Sequence, residues 1–364
     1  MLETFKINSS TGEYLVEIGL NLEETKSLEK SPNIVIADQK VAQLWYSNQF
    51  SDVLLVEALE ENKTLDGCAK LIEGLRSKGA SKGSHLYAFG GGIVQDLATF
   101  CASSYMRGIK WTYVPTTLLG MVDSCIGGKS SINVGPYKNI AGNFYPPQKI
   151  AIDIRFCKTL PLAERVAGLC EAVKICYAAS GSEFEEYLQI FSGSSSKLSE
   201  QEILQVVILS LHTKKRFIEE DEFDNGPRLL LNFGHTFGHA IEAASNFSIT
   251  HGIAVGIGML AEIQFGNALN YSQSTPNRVA KLNLYIKELL VNTPEVLECL
   301  HCLDVDAAMS AFKSDKKHSA QEYVVVVANA NGYLVRIWTP ICNQTDDLIR
   351  NIFSFLKEGL IGEI

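Results

Sequence analysis

The sequence predicts an α/β domain followed by a helical domain. Up to about residue 158, short β-rich runs alternate with helical patterns, which is typical of a parallel sheet with helices on its faces. From Leu162 onward the segments are longer and have helical periodicity. The chain has 364 residues, 46% of them hydrophobic and 20% charged, which is enough for two separate cores. We therefore expect one domain over residues 1–158 and a second over residues 159–364.

The elements follow in order along the chain. A small hairpin is predicted first, pairing residues 6–7 with residues 14–18. Five β-rich runs then predict the strands of the sheet, at residues 33–37, 53–56, 85–89, 111–114 and 149–152, with a helix over residues 65–78. Helical periodicity predicts further helices over residues 163–178, 201–219, 229–244, 253–269 and 278–290. A second hairpin, residues 323–328 with 333–338, precedes a last helix over residues 346–357.

Composition excludes several classes of function. The 41 acidic and 32 basic residues give a formal charge of −9 without a long basic run, so we expect no nucleic-acid or anionic-membrane surface. The first residues do not resemble a signal peptide, and no apolar stretch reaches spanning length. Nine cysteines, an odd number, favour reduced thiols in the cytoplasm. Cys299 and Cys302 have redox spacing but are interpreted as a buried structural pair.

A glycine-rich turn and two polar segments predict an anion-binding region in the first domain. Gly90, Gly91 and Gly92 end a predicted strand and open a helix, where backbone can approach a pyrophosphate, although a tight turn without a ligand has the same pattern. Asp96 then becomes a candidate for binding a hydroxyl. Further on, residues 114–119 end a strand with two hydroxyls, and residues 123–130 form a glycine-rich loop without Walker A spacing. The polar candidates in these segments and just beyond are Thr116, Thr117, Asp123, Lys129, Lys138 and Asn139.

Three histidines within seventeen residues indicate a metal site in the second domain. His235 and His239 share one helix face, and His251 begins the next predicted helix. The alternative is that these histidines are buried core residues or helix caps and bind no metal. No Glu directly follows His235, so the metalloprotease pattern is absent. Glu171 supplies the carboxylate that, with two imidazoles, leaves a coordination position open for catalysis.

Four more polar residues accompany these histidines, and two of them have a simpler explanation. Lys174 follows Glu171 by three residues, so the two could form an ordinary surface ion pair. Lys214, Arg228 and Asn232 precede the histidine helix and could contact an anion, whereas solvation on a helix surface is the alternative for Lys214.

These segments resemble 3-dehydroquinate synthases and their relatives, the sugar phosphate cyclases. The resemblance covers most of the chain, and its specific parts are residues 90–96, 105–108, 114–119, 123–129, 138–139, 168–174, 228–239 and 251–252. It implies a Rossmann-like NAD-binding domain and a helical metal-binding domain with Zn²⁺ or Co²⁺. It also implies an enzyme that oxidises an alcohol with NAD⁺, eliminates phosphate, reduces the ketone again and closes a carbocycle by aldol addition.

The resemblance assigns roles to individual residues. Glu171, His235 and His251 would bind the metal, while His239 would contact the substrate phosphate instead. A lysine of residues 315–317, taken as Lys317, would join it. The remaining implied roles are phosphate contacts by Arg107, Lys129 and Asn139, with Arg107 reaching a neighbouring subunit of a homodimer; carboxylate contacts by Lys214 and Arg228; ring-hydroxyl contacts by Asp123, Lys174 and Asn232; and NAD contacts by Asp38, Glu60, Lys63, Gly90, Gly91, Gly92, Asp96, Thr116, Thr117 and Lys138.

The substrate implied first is 3-deoxy-arabino-heptulosonate 7-phosphate, because two cations near the metal suit a carboxylated sugar phosphate. Alternatives are a related cyclase of secondary metabolism (2-deoxy-scyllo-inosose, epi-valiolone or aminodehydroquinate synthase type), a metal-dependent alcohol or glycerol dehydrogenase, and a non-catalytic metabolite-binding paralogue. Four departures from the family's usual pattern concern the substrate more than the reaction class: Gln95 for Gly, Asp224 for Glu, Ile253 for Glu, and the segment 130–137.

Overall fold

The computed structural model describes residues 2–22, 33–46, 53–135, 137–191, 198–271 and 277–359. The chain divides into two compact units. The first comprises Met1–Leu160 and Ser199–Phe223, and the second comprises Pro161–Leu198 and Asp224–Ile364. Residues 199–223 therefore belong with the first unit, whereas the sequence pattern assigned them to the second domain.

The first unit is built on a seven-stranded sheet. In spatial order, its strands are β1 (Glu3–Ile7), β2 (Tyr14–Gly19), β9 (Lys149–Asp153), β6 (Lys110–Pro115), β5 (His85–Gly90), β3 (Asn33–Asp38) and β4 (Val53–Val56). Only β1 is antiparallel to its neighbour; the other pairings are parallel, as the alternation of strands and helices predicts.

Helices flank this sheet, and a short hairpin lies beside it. The hairpin, β7 (Ile132–Val134) with β8 (Tyr137–Ala141), was expected only as a loop. The helices are α1 (Gln39–Tyr46), α2 (Leu65–Ser77), α3 (Gly92–Ser104) and α6 (Glu200–Glu220). Helix α6 begins with a capping box, in which Ser199 and Glu202 satisfy each other's backbone amides. It packs on β1, β2 and a π-helical turn, Gly120–Ser124, which explains why it belongs to this unit.

The second unit is helical, with one antiparallel hairpin of β10 (Glu322–Ala328) and β11 (Leu334–Pro340). This hairpin confirms the predicted pairing of the two late apolar runs. The helices are α4 (Leu162–Ala178), α5 (Glu183–Gln189), α7 (His235–Ala244), α8 (His251–Ala268), α9 (Asn277–Val291), α10 (Pro294–His301), α11 (Val305–Lys313) and α12 (Asn343–Gly359).

One predicted helix, over residues 229–244, is wrong because it divides in two. A 3₁₀ turn covers Pro227–Asn232, and α7 begins only at His235. Gly234 between them has a φ of +79°, a left-handed conformation that an α-helix does not contain. A Cβ at Gly234 would lie 2.5 Å from the Val255 carbonyl oxygen, so the glycine also permits α8 to approach.

The cysteine predictions have a mixed outcome. All nine cysteines are free thiols, as the odd count suggested. The expectation that Cys299 and Cys302 form a buried pair is wrong, since Cys302 is exposed and Cys299 is only partly buried. Both lie at the end of the short helix α10, where Cys302 follows the last helical residue. Among the described residues, no helix combines the length and the apolar character needed to cross a membrane.

Candidate active site and metal centre

Three helices of the second unit pack through glycines and bring the predicted metal ligands together. Helix α8 lies against both α4 and α7. A Cβ at Gly256 would come within 2.6 Å of the Cys170 sulfur on α4, and a Cβ at Gly238 on α7 would come within 2.9 Å of the Ala254 carbonyl oxygen. Because neither contact leaves room for a side chain, the helix backbones approach closely. This packing positions one candidate ligand from each helix.

Those candidates are Glu171 on α4, His235 at the start of α7 and His251 at the start of α8. The Glu171 Oε1 atom lies 3.9 Å from His235 Nε2 and 3.5 Å from His251 Nε2. Glu171 is 0% exposed and forms an ion pair with Lys174, which is 2% exposed. The alternative of a surface ion pair is therefore wrong, because a charged pair is held inside the helical core.

The outer nitrogen of each imidazole has its own oxygen partner. His235 Nδ1 lies 3.2 Å from the Phe233 carbonyl oxygen, which can only accept, so Nδ1 carries the proton. His251 Nδ1 lies 3.0 Å from Glu242 Oε2. Partners of this kind fix the tautomer of metal-binding histidines and leave Nε2 as the ligand. Both Nε2 atoms face the same Glu171 oxygen, so the two rings are oriented as ligands would be.

His239 lies near the other two histidines and also near a charged pair, Asp315 and Lys317. The ligand nitrogens of His235, His239 and His251 all lie within 4.8 Å of one another, so the three histidines together form a possible metal-binding group. His239 Nδ1 also lies 3.8 Å from Asp315 Oδ2, and Lys317 Nζ lies 2.6 Å from the same oxygen. The structure thus brings His239 and Lys317 together around Asp315. It is equally compatible with His239 as a ligand.

Burial and neighbouring charges shift the pKa values of these groups in different directions. Against the effect of burial, the contact with Glu242 and the charge of Glu171 raise the pKa of His251, so a metal ion would have to displace a proton from this imidazole. Burial, followed by the charge of Lys174, lowers the pKa of His235 well below its usual value, so its Nε2 lone pair is available at neutral pH. Burial alone would raise the pKa of Asp315, but its contact with His239 and the charge of Lys317 lower it below its usual value. Burial lowers the pKa of His239, so Asp315 is a carboxylate that lies between a neutral imidazole and the Lys317 ammonium.

The predicted carboxylate-binding residues are buried in their own units. In the first unit Lys214 is 6% exposed, and its Nζ lies 2.5 Å from Asp123 Oδ1. Solvation on a helix surface is therefore wrong for Lys214. In the second unit Arg228 is 4% exposed, within the 3₁₀ turn that also contains Asn232. The Asn232 side-chain amide donates to the Leu229 carbonyl oxygen at 3.1 Å.

The glycine-rich turn lies at the carboxyl ends of adjacent parallel strands. Strand β5 ends at Gly90, opposite Pro115 at the end of β6, and Asp38 ends the neighbouring strand β3. Gly91 is the N-cap residue of α3 and brings no side chain to that helix end; a Cβ there would lie 2.8 Å from Thr117 Cγ2. Ligands of α/β sheets bind at this edge. Thr116 follows β6 at the same edge and donates its amide to the Gly90 carbonyl oxygen.

Several of the predicted nucleotide-binding residues form one network in the first unit. Lys63 Nζ lies 3.2 Å from Asp96 Oδ2, 2.9 Å from Asn139 Oδ1 and 3.4 Å from Glu60 Oε1. Lys138 Nζ lies 3.6 Å from the same Glu60 oxygen. Burial raises the pKa of Asp96 to about 6 against the opposing charge of Lys63. Asn139, predicted for the phosphate, therefore lies with the residues predicted for NAD.

Arg107 and Lys129 occupy more open positions. Arg107 is exposed at the end of the turn Tyr105–Arg107, with a φ of +63° beside Met106 at +48°. Lys82 donates to the carbonyl oxygens of Met106 and Arg107 at 3.1 Å each, which holds this strained turn. Lys129 Nζ lies 5.9 Å from the centre of the Phe144 ring.

Three further polar residues, two in the second unit and one in the first, have no role in the sequence prediction. Glu242 orients His251, and its spacing after His235 places both on one helix, a signal that sequence could provide. Glu262, an isolated acidic residue in the apolar helix α8, accepts amide hydrogens from Gly234 and Thr236. Gln95 is buried and exchanges two 2.6 Å hydrogen bonds with Ser124, beside Asp123. No sequence signal reveals this last contact.

Comparison with known proteins identifies the family. The family model for the 3-dehydroquinate synthase N-terminal domain matches residues 53–167, and the model for its C-terminal domain matches residues 168–318. The chain belongs to the 3-dehydroquinate synthase family. The 3-dehydroquinate synthase of Saccharolobus solfataricus is 34% identical over 283 residues, which cover 78% of this chain and 79% of that protein. The 3-dehydroquinate synthase of Alkaliphilus metalliredigens is 31% identical over 342 residues, covering 91% and 94%.

A solved structure shares the fold of this 3-dehydroquinate synthase family member. The crystal structure of 2-deoxy-scyllo-inosose synthase, complexed with carbaglucose-6-phosphate, NAD⁺ and Co²⁺, has a TM-score of 0.81 at 23% identity. The match covers 96% of this chain and 100% of that one. The predicted fold class, a mostly parallel α/β domain with a helical C-terminal domain, is therefore confirmed.

Proposed function

We propose that this protein is a 3-dehydroquinate synthase, an NAD- and metal-dependent carbon–oxygen lyase. It would convert 3-deoxy-arabino-heptulosonate 7-phosphate to 3-dehydroquinate and phosphate. The observation that carries the proposal is the convergence of His235 Nε2 and His251 Nε2 on the buried Glu171 carboxylate, in a chain of this family. A non-catalytic paralogue has no need of that arrangement.

The donor set fits a catalytic metal ion. Two neutral imidazole nitrogens and one carboxylate are ligands that Zn²⁺ and Co²⁺ accept, and three protein ligands leave a position for substrate. We assign Glu171, His235 and His251 to this role, as the family resemblance implies, and His239, which shares Asp315 with Lys317, to the substrate phosphate. When bound, such an ion is a Lewis acid toward an alcohol or ketone oxygen. Lys174, held by Glu171, would contact a ring hydroxyl at the same site.

The first unit has residues suited to NAD. Asp38, the turn from Gly90 to Gly92, and Thr116 lie at one edge of the parallel sheet, where the amino end of α3 can face a pyrophosphate. The network around Lys63 adds hydrogen-bonding groups for a ribose. NAD supplies a reversible hydride acceptor when bound. Within this proposal the residues bind and orient the cofactor, and Asp96 fixes the Lys63 ammonium.

The charged residues define the substrate class. Arg228 and Lys214 are both buried, and a cation shielded from water interacts strongly with an anionic partner. Lys214 has Asp123 as that partner in this structure, so substrate binding would share or replace this contact. A sugar phosphate with a carboxylate suits these residues better than a neutral sugar phosphate. Lys317, with His239, Lys129, Asn139 and Arg107, would then bind its phosphate.

We further propose a cytoplasmic homodimer in which Arg107 reaches the partner subunit. Its exposed side chain is presented by a turn with two consecutive non-glycine residues at positive φ. Turns strained in this way usually serve a function. Nine free thiols support a reducing compartment.

A substrate panel tests the proposal. Purified protein is supplied with NAD⁺ and 3-deoxy-arabino-heptulosonate 7-phosphate, glucose 6-phosphate or sedoheptulose 7-phosphate, and phosphate release is measured together with NADH absorbance. We expect phosphate release from the first compound without accumulation of NADH, loss of activity with a chelator, and recovery with Zn²⁺ or Co²⁺.

Other outcomes identify the alternatives. Turnover of only glucose 6-phosphate or sedoheptulose 7-phosphate would mean a secondary-metabolism cyclase. NADH accumulating in step with product from a simple alcohol would mean a dehydrogenase. Full activity after complete removal of metal would contradict the assignment of Glu171, His235 and His251.

A further inference from the structure

Glu262 carries a carboxyl group that is buried in the helical unit and has no part in the proposed reaction. It is 0% exposed and lies on α8. Its Oε2 accepts a hydrogen bond from the Gly234 amide at 2.6 Å, and its Oε1 accepts one from the Thr236 amide at 3.1 Å. These two amides belong to the residues immediately before and after His235.

The contacts replace an ordinary helix cap. The first amides of a helix have no partner within the helix, and a side chain at the N-cap usually satisfies one of them. Gly234 is the N-cap residue of α7 and has no side chain for this purpose. Glu262 reaches from a different helix and binds two of these amides at once. The first turn of α7 is therefore attached to α8.

This attachment bears on the metal site because α8 also contains His251. Glu262 and His251 are eleven residues apart on one continuous helix, so their separation along α8 is fixed. Glu262 holds the backbone on both sides of His235, whose Nδ1 is in turn held by the Phe233 carbonyl oxygen. The Nε2 of His235 is thereby placed relative to that of His251.

We infer that Glu262 is a positioning residue for the metal site: its carboxyl group sets the position of His235 relative to His251. The inference rests on the metal site of the proposed function. A carboxyl group is needed because both of its oxygens can accept a hydrogen bond in either protonation state, whereas an amide side chain has one oxygen and would turn an N–H group toward one of the two backbone amides. Burial raises the pKa of Glu262 to about 8, against the opposing effect of the amide hydrogen bonds from Gly234 and Thr236.

The test compares Glu262→Gln with the matched control Asp153→Asn. Asp153 is also fully buried and also accepts a backbone amide hydrogen, from Arg155 at 3.1 Å, but it lies at the end of β9 in the first unit. Metal-free proteins are titrated with Co²⁺ in competition with a chromogenic chelator. The visible absorption of bound Co²⁺ reports its coordination geometry, and denaturant unfolding of the metal-free forms gives stability separately.

We expect Glu262→Gln to weaken Co²⁺ binding about 10- to 100-fold and to change the absorption bands, as loss of partners behind metal ligands does. Asp153→Asn should lose stability while keeping wild-type Co²⁺ affinity and spectrum. Should Glu262→Gln not fold, Glu262→Asp replaces it: a side chain one methylene shorter cannot reach both amides, so its Co²⁺ affinity should also fall.

Wild-type Co²⁺ affinity and spectrum in the Glu262 variant that folds would overturn the positioning role and leave the proposed function intact. A wild-type protein that binds no Co²⁺ would instead overturn the proposed metal site, and the role of Glu262 with it.

Discussion

Substitution of Gly258 by alanine should damage the metal site from outside it. Gly258 lies on α8 and faces the start of α7. A Cβ there would lie 2.7 Å from the Gly238 nitrogen and 2.9 Å from the Gly234 carbonyl carbon, and closer still to the Gly234 carbonyl oxygen. All three atoms belong to backbone, so none can rotate away.

The size of the effect follows from these distances. Ordinary contacts between carbon atoms are about 3.5–4.0 Å long, so α7 and α8 must separate by roughly 1 Å. Overpacking of this kind costs about 1–3 kcal/mol of unfolding free energy. Metal–ligand distances tolerate only about 0.2 Å. Because His235 lies on α7 and His251 on α8, the separation should weaken Co²⁺ binding more than it lowers stability.

Denaturant unfolding of metal-free protein and Co²⁺ titration measure the two effects. Gly92→Ala is the control, because a Cβ at this helical glycine has nothing within 4 Å. It should change stability by less than about 1 kcal/mol and leave Co²⁺ affinity unchanged. If Gly258→Ala retained wild-type stability and Co²⁺ affinity, the close packing of α7 on α8 could not be what positions the ligands.

Three further predictions concern charged groups. Glu171→Gln should lower the unfolding free energy of metal-free protein by about 3–5 kcal/mol, because buried Lys174 loses its counter-charge. The double variant with Lys174→Met should recover most of this loss. Equal stability of the single and double variants would contradict the role given to the Lys174 charge. Burial raises the pKa of Asp96 from 3.8 to about 6, so the folded protein retains a proton that the unfolded chain releases, and stability falls as pH rises through that interval. Asp96→Asn should remove this pH dependence, worth at most about 3 kcal/mol, in unfolding curves measured from pH 4 to pH 7. Arg228→Ala should lose about 2–5 kcal/mol of transition-state binding, measured as kcat/KM, toward a carboxylated substrate. An equal loss toward a neutral analogue would refute a carboxylate contact at Arg228.

Much of the fold and several site groupings could be predicted from local pattern. Strand alternation and turn residues are local signals, so both hairpin pairings were predictable, and the bounds of β3 to β6 were predictable within one residue. Strand β1 begins at Glu3, three residues before its predicted start. The break between the 3₁₀ turn and α7 at Gly234 was not predictable. Apolar residues recur with helical spacing through residues 229–244, in spite of the left-handed conformation of this glycine. Helix α6 was assigned to the wrong unit because its periodicity does not reveal which sheet covers it.

The sequence by itself determined the order of elements, the histidine spacing and the motifs that place this chain in its family, because each depends on residues near one another in the chain. Only the tertiary structure decided that Glu171 and Lys174 are a buried pair, that Lys214 contacts Asp123, and that Glu262 binds the start of α7. The physical reason is that the burial of a side chain and its hydrogen-bond or ion-pair partners depend on segments that are distant in the sequence. Sequence spacing determines the helix face on which a carboxyl group lies, whereas tertiary packing determines which residues that face contacts.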